Sequence, residues 1–427
     1  MNMIQKYRPR IADKILARKL AGKGAVLLEG AKWCGKTTTA EQIARSVLYI
    51  SEPGRLEQNR QLAVLNPNLL LKGEQPRLID EWQVVPQLWD SIRFVVDHDH
   101  ILGGYILTGS SVPADMSGVV HSGTGRFGWV RMRPMSLWES GESTGEVSLE
   151  NLFAGTDQIE GISRLDLSDI AFVASRGGWP LAVGMDEVIA LDQAYDYITA
   201  VEQRDIQRAD GVERDPARVH RVLRSYARHQ GTQANYKTIA ADLESNEGES
   251  FNEDTIASYI KALKSIFVIE EMEAWNPNLR SKTAIRTSDT RYFTDPSIAV
   301  AALGMGPADL LADLHTFGLI FETLCVRDLR VFAEVLGGTV YHYRDKNGLE
   351  CDAVIHLRDG RYGLIEIKLG GDALIRDGVK TLLELSNKID TTKMKAPSFL
   401  MVLTASGPYA YRREDGVFVV PIACLKD

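Results

Sequence analysis

Gly30-Ala31-Lys32-Trp33-Cys34-Gly35-Lys36-Thr37 is a complete G-x-x-x-x-G-K-[ST] phosphate-binding loop, and it follows directly on the apolar run Ala25-Val26-Leu27-Leu28. A loop that wraps a polyphosphate turns its backbone N–H groups inward, and glycine allows both the backbone angles and the close approach. Lys36 is expected to reach the β- and γ-phosphates, and Thr37 to hold Mg²⁺ through its hydroxyl. Thr38 to Ala44 has helix-forming composition, so the loop opens onto a helix N-terminus, where the dipole favours an anion. The expected nucleotide-binding set is therefore Gly30, Ala31, Lys32, Trp33, Cys34, Gly35, Lys36, Thr37 and Thr38, with ATP and Mg²⁺ as cofactors. Lys32, Trp33 and Cys34 are bulkier than the small residues many such loops carry.

Hydrolysis needs a second acid to anchor the metal and a group to orient water. Arg77-Leu78-Ile79-Asp80-Glu81 supplies both at the end of an apolar strand, Asp80 as metal ligand and Glu81 as the base or orienter for water. Thr108 and Ser110 end the next strand candidate, Tyr105 to Ser110, and are placed to sense the γ-phosphate. Arg126 is the arginine-finger candidate, since a guanidinium stabilises charge on a transferred phosphoryl group; Arg131 and Arg133 follow it. Strands alternating with helices such as Ile11 to Leu20 and Leu88 to Val96 predict a parallel α/β sheet.

At 427 residues the chain exceeds one ordinary core. Hydrophobic and charged contents of 44% and 25% are those of a water-soluble globular protein, and no apolar stretch approaches membrane-spanning length. The opening residues contain no signal-peptide core, so a cytoplasmic location without membrane contact is expected. Cys34, Cys325, Cys351 and Cys424 lie far apart with no C-x-x-C pair, which suits a reducing compartment and argues against structural zinc. A net charge of −8 excludes a nucleic-acid coat, although local basic faces remain open to phosphate backbones.

Ser140 to Glu150 shifts to Gly, Ser, Thr and Glu and reads as a linker. In Ala217 to Arg228 the apolar Val219, Val222, Leu223 and Tyr226 share one helical face; Arg218, Arg221, Arg224 and Arg228 share the other, either as a solvated side or as a stripe along a nucleic-acid backbone. Helices over Tyr236 to Leu243 and Thr255 to Phe267, followed by a strand over Val268 to Met272, resemble a winged-helix module. Beyond a helix over Leu310 to Phe332, strands are predicted at Val340 to Arg344, Cys351 to Leu357, Tyr362 to Lys368 and Phe399 to Leu403. Asp352 begins one of these, and Glu366 and Lys368 share a face of the next. Two carboxylates and a lysine converging across a hairpin suit Mg²⁺ binding and phosphodiester cleavage, with Glu322 as a further oxygen ligand. The pattern resembles the PD-(D/E)xK endonuclease signature, with Cys351 where a proline often lies.

Taken with Tyr7-x-Pro-Arg, Gly125-Arg126, Pro134-x-Ser136 with Glu139, and Gly178-Trp179-Pro180, these motifs resemble bacterial and archaeal AAA-type P-loop ATPases joined to a C-terminal domain of unknown function with a nuclease-like end. The resemblance covers nearly the whole chain. It implies a multidomain α/β protein: a parallel-sheet ATPase domain over 1–140, linker and helical lid over 141–200, a winged-helix-like region over 201–300, and a restriction-endonuclease-like α/β domain over 301–427. It also implies ATP binding with Mg²⁺-dependent hydrolysis, driving a switch or motor on DNA, RNA or a protein partner. The alternatives are an ATP-gated nuclease and a non-catalytic assembly module in which Arg126 completes a neighbouring copy's site.

Overall fold

In the computed structural model, residues 6–111, 122–248, 250–279, 285 and 287–427 are described. The chain forms two compact units, one of Met1–Pro134, Gln203–Arg214 and Lys261–Phe267, the other of Met135–Glu202, Asp215–Ile260 and Val268–Asp427.

The first unit is built on five parallel strands, β1 (Ala25–Glu29), β2 (Ser46–Tyr49), β3 (Arg77–Asp80), β4 (Tyr105–Gly109) and β5 (Phe127–Arg131). Their order is β2-β3-β4-β1-β5, so β1 is hydrogen-bonded on both sides, Leu28 pairing with Thr108 and with Val130. This is why Ala25 to Leu28 is a continuous apolar run, since a strand flanked on both edges and covered on both faces has no solvent side. Trp82, Trp89, Ile92 and Phe127 fill one face, with Trp89 and Phe127 stacked at 3.9 Å. The helix after the phosphate loop spans only Lys36–Glu41; its threonine run is a weak helix former, and β2 begins five residues later.

The second unit carries a seven-stranded mixed sheet. Its strands are β7 (Gly161–Ile162), β8 (Gly338–Arg344), β9 (Glu350–Leu357), β10 (Tyr362–Lys368), β11 (Phe399–Thr404), β12 (Tyr409–Arg412) and β13 (Phe418–Pro421), in the order β7-β12-β13-β11-β10-β9-β8. The stretch read as a linker is folded: β6 (Val147–Ser148) pairs in parallel with β14 (Leu425–Lys426), and the Ser143 hydroxyl donates to the Leu425 carbonyl at 2.7 Å. Its small polar residues satisfy backbone groups inside the fold. The long helix expected over Leu310 to Phe332 is broken at Asp313, whose carboxylate caps Leu314–Val335 by accepting from His315 and Thr316 N–H. Val268 to Met272 makes only the isolated antiparallel bridges Ile269 to Phe293 and Met272 to Thr290. Among the described residues no helix is long and apolar enough to cross a membrane, and all four cysteines are free and buried.

Candidate functional site

The phosphate loop leaves the C-terminal end of β1, which lies between β4 and β5. Gly30 has φ 157°, and a side-chain carbon there would fall 1.9 Å from the Met132 carbonyl oxygen, so only glycine fits. Gly35, at φ 99°, opens the helix Lys36–Glu41. The bulky loop residues each have a place: Lys32 pairs with Asp205, Trp33 takes φ 66° and lies 49% exposed, and Cys34 is buried with its thiol toward the Met132 carbonyl. Ala31 is buried and Thr38 exposed. The Lys36 ammonium folds back on the loop, donating to the Gly30 and Ala31 carbonyls at 3.0 and 2.8 Å.

Asp80 gathers its neighbours. Its Oδ1 accepts from Thr37 Oγ1 at 2.7 Å and from Thr108 Oγ1 at 2.6 Å, so Thr108, read as a phosphate sensor, instead holds this carboxylate. Thr37 and Asp80 are hard oxygen donors side by side, the kind of pair Mg²⁺ takes. Glu81 steps off β3 into left-handed backbone, φ 59°, a strained conformation for a non-glycine residue of the sort that collects at functional sites. Its carboxylate accepts from the Gln83 amide and, at 3.5 Å, from Ser110 Oγ. Lys36, Thr37, Asp80, Glu81 and Ser110 thus converge at the C-terminal ends of three strands.

Arg126 does not join them. It precedes β5, where its carbonyl accepts from Gly24 N–H, and this is the opposite end of the sheet from the loop. Its guanidinium binds Asp97, whose carboxyl that hydrogen bond holds below the ordinary range. Arg131, at the far end of β5, stands 3.0 Å from Glu29, and the Arg133 carbonyl accepts from Arg10 at 2.8 Å. A finger role for Arg126 is left only toward another copy of the chain.

In the second unit Asp352, Glu366 and Lys368 do meet. Lys368 Nζ lies 3.0 Å from Asp352 Oδ2 and 2.7 Å from Glu366 Oε2, and Asp352 also accepts from Ile367 N–H at 2.7 Å. Glu322, in helix Leu314–Val335, accepts from Tyr292 OH. One ammonium thus contacts two carboxyl groups, while Glu322 is held by a tyrosine hydroxyl. Burial, reinforced by the charge of Asp352, pushes Glu366 and Glu322 up to about 8. Burial works against the Lys368 ammonium, but Asp352 and Glu366 outweigh it and raise its pKa. No group of three or more metal-ligating side chains is assembled among the described residues.

The arginine stripe of helix Pro216–Arg228 is largely occupied by its own fold. Arg228 binds Asp242 and Glu247, Arg224 lies 3.6 Å from Glu247, and Arg218 stacks on Phe251 at 4.2 Å. Sequence reasoning gave no role to Arg10, Gln83 or Tyr292. Arg10 had a visible signal, since it closes the Tyr7-x-Pro-Arg motif; Gln83 and Tyr292 had none.

A parallel sheet with this loop at the end of an interior strand, a lysine on the loop and an acid at the end of β3, one strand beyond β4, has the arrangement of a P-loop phosphate-binding site. Residues 22–140 match a family described as AAA domain. Residues 167–309 and 317–425 match two families described as domains of unknown function, DUF8612 and DUF4143. No curated protein matches the chain in sequence. Among solved structures, a Walker-type ATPase of Pyrococcus abyssi is 15% identical, aligned over 70% of this chain and 99% of its own, with a TM-score of 0.42. The ORC2 protein of Aeropyrum pernix, in ADPNP and ADP complexes, is 14% identical over 63% of this chain and 89% of its own, with a TM-score of 0.30.

Proposed function

We propose that the chain binds ATP at Gly30 to Thr38, hydrolyses it with Mg²⁺, and uses the cycle as a switch or motor on a nucleic-acid or protein partner. The observation that carries this is Asp80, whose carboxylate draws together the hydroxyls of Thr37 and Thr108 beside the strained Glu81. Thr37 and Asp80 would hold Mg²⁺, which supplies charge neutralisation for the leaving phosphate oxygens. Lys36 exchanges its two loop carbonyls for phosphate oxygens. Glu81, steered by Gln83 and Ser110, orients the attacking water and takes its proton. Residues 1–140 form the ATPase domain in this reading, 141–200 its helical lid, 201–300 a winged-helix-like region and 301–427 the nuclease-like end. Replacing Lys36 tests the assignment: K36A should reduce ATP turnover to background, and wild-type turnover in that variant would exclude this site.

A second reading, phosphodiester cleavage gated by ATP, is favoured by the convergence of Asp352, Glu366 and Lys368 on one hairpin. It is tested by incubating DNA and RNA with Mg²⁺ or Mn²⁺, with K368A as control. Absence of lysine-dependent cleavage on every substrate sinks it.

A further inference from the structure

Tyr7-Arg8-Pro9-Arg10 was singled out by its sequence, yet the ATPase reading assigns it nothing. Arg10 occupies the N-cap of helix Ile11–Leu20, a position that favours short side chains with an acceptor oxygen. Arginine offers no acceptor, so the helix end does not account for it. Its side chain is instead buried, and the two arms of the guanidinium are spent on carbonyls: Nη1 donates to Cys34 at 2.7 Å and Nη2 to Arg133 at 2.8 Å.

Cys34 is the residue of the phosphate loop between Trp33 and Gly35, the two loop positions with left-handed backbone at its tip. Its carbonyl and the N–H of Gly35 belong to one planar trans peptide and point in opposite directions. Holding that carbonyl on Arg10 turns the Gly35 N–H to the other side of the loop backbone, and N–H direction is what a phosphate loop must fix. The Arg133 carbonyl lies just past β5, next to Met132, whose carbonyl crowds Gly30 and faces the Cys34 thiol. One buried cation thereby ties the loop to the floor beneath it. The same motif reaches the other side of the loop: Tyr7 OH donates to Asp13 at 2.6 Å and lies 3.1 Å from Oγ1 of Thr39, in the helix the loop opens. Asp13 also accepts from Arg10 N–H at 2.8 Å.

We propose that Tyr7-x-Pro-Arg10 is a clasp on the phosphate loop, with Arg10 a positioning residue for nucleotide that acts through the Cys34–Gly35 peptide. Because the role exists only for a loop that binds nucleotide, it rests on the ATP reading above. The role assigned to Arg10 is to position the loop backbone through its bonds to the Cys34 and Arg133 carbonyls, not to ligate phosphate.

The test uses the full chain, with Mg²⁺-ATP affinity measured by calorimetry and steady-state hydrolysis measured alongside. R10Q should raise Kd and KM for ATP about tenfold while kcat at saturating ATP stays within about threefold, the signature of lost ground-state binding. A merely structural loss would reduce the folded fraction, and so kcat and binding stoichiometry, while leaving KM in place. Wild-type binding together with an R10Q Kd within about twofold of it overturns the clasp alone. Wild-type protein that binds no ATP overturns the ATP reading and the clasp with it. If R10Q does not fold, R10K decides: a single ammonium replaces the two-armed fork, and affinity should fall about threefold or more. R10K at wild-type affinity then overturns the clasp.

Discussion

The two polar clusters of this chain contain the same kinds of group, a lysine and acids at strand ends, and differ in what those groups hold. In the first unit Lys36 rests on two backbone carbonyls and Asp80 on two hydroxyls, all neutral partners. In the second, Lys368 is ion-paired with Asp352 and also hydrogen-bonded to the buried Glu366. A charge bonded to neutral groups keeps most of its attraction for an incoming ion, while a buried charge bonded to its opposite is already compensated. The first cluster is therefore poised for a charged ligand, and the second must break its own pairs to take one.

Three measurements bear on that contrast. The largest effect is expected from E81Q, which should slow hydrolysis about a hundredfold or more while leaving ATP affinity within about threefold. An unaltered rate would remove Glu81 from the chemistry and leave the first cluster a binding site only. The second concerns pH. Burial holds Glu322 and Glu366 well above the ordinary carboxyl range in the folded chain, so at low pH both are protonated whether folded or not. As pH rises above the ordinary carboxyl range, the unfolded chain releases protons that the folded chain retains, and stability falls until the folded groups titrate in turn. Thermal melts from pH 5 to 9 should show this decline, and E322Q should flatten it; an E322Q slope equal to wild type would mean the cluster does not store protons as described. The smallest effect is expected from R126A. Its pair with Asp97 is solvent-screened and contributes little to stability, and in dilute protein ATP turnover should stay within about twofold. A large loss that appears only at high protein concentration would assign Arg126 to a neighbouring copy's site.

The parallel sheet and the loop were legible because they are local: an apolar strand, glycines and a lysine lie within thirteen residues. The hairpin strands of the second unit were equally legible from alternation, and Asp352, Glu366 and Lys368 share a side because of period two. What escaped was set by partners far along the chain. Nothing near Thr108 says that its hydroxyl is taken by Asp80, and nothing near Arg228 says that Asp242 and Glu247 neutralise it. The position of Arg126 was not legible for another reason: adjacency to a strand does not tell which end of the sheet a residue occupies. The Ser140 to Glu150 stretch has linker composition, yet its hydroxyls are used as internal donors.

The buried arginine of the second unit has its own consequence. Arg327 bridges Asp295 and Asp328; Asp295 accepts from Gly178 N–H, Ser297 binds the Trp179 indole, and Asp328 accepts from Leu137 N–H. Segments around positions 137, 178, 295 and 327, distant in sequence, thus share one charge balance. Substitutions among them will not sum: the first breakage carries most of the loss, and a second adds little.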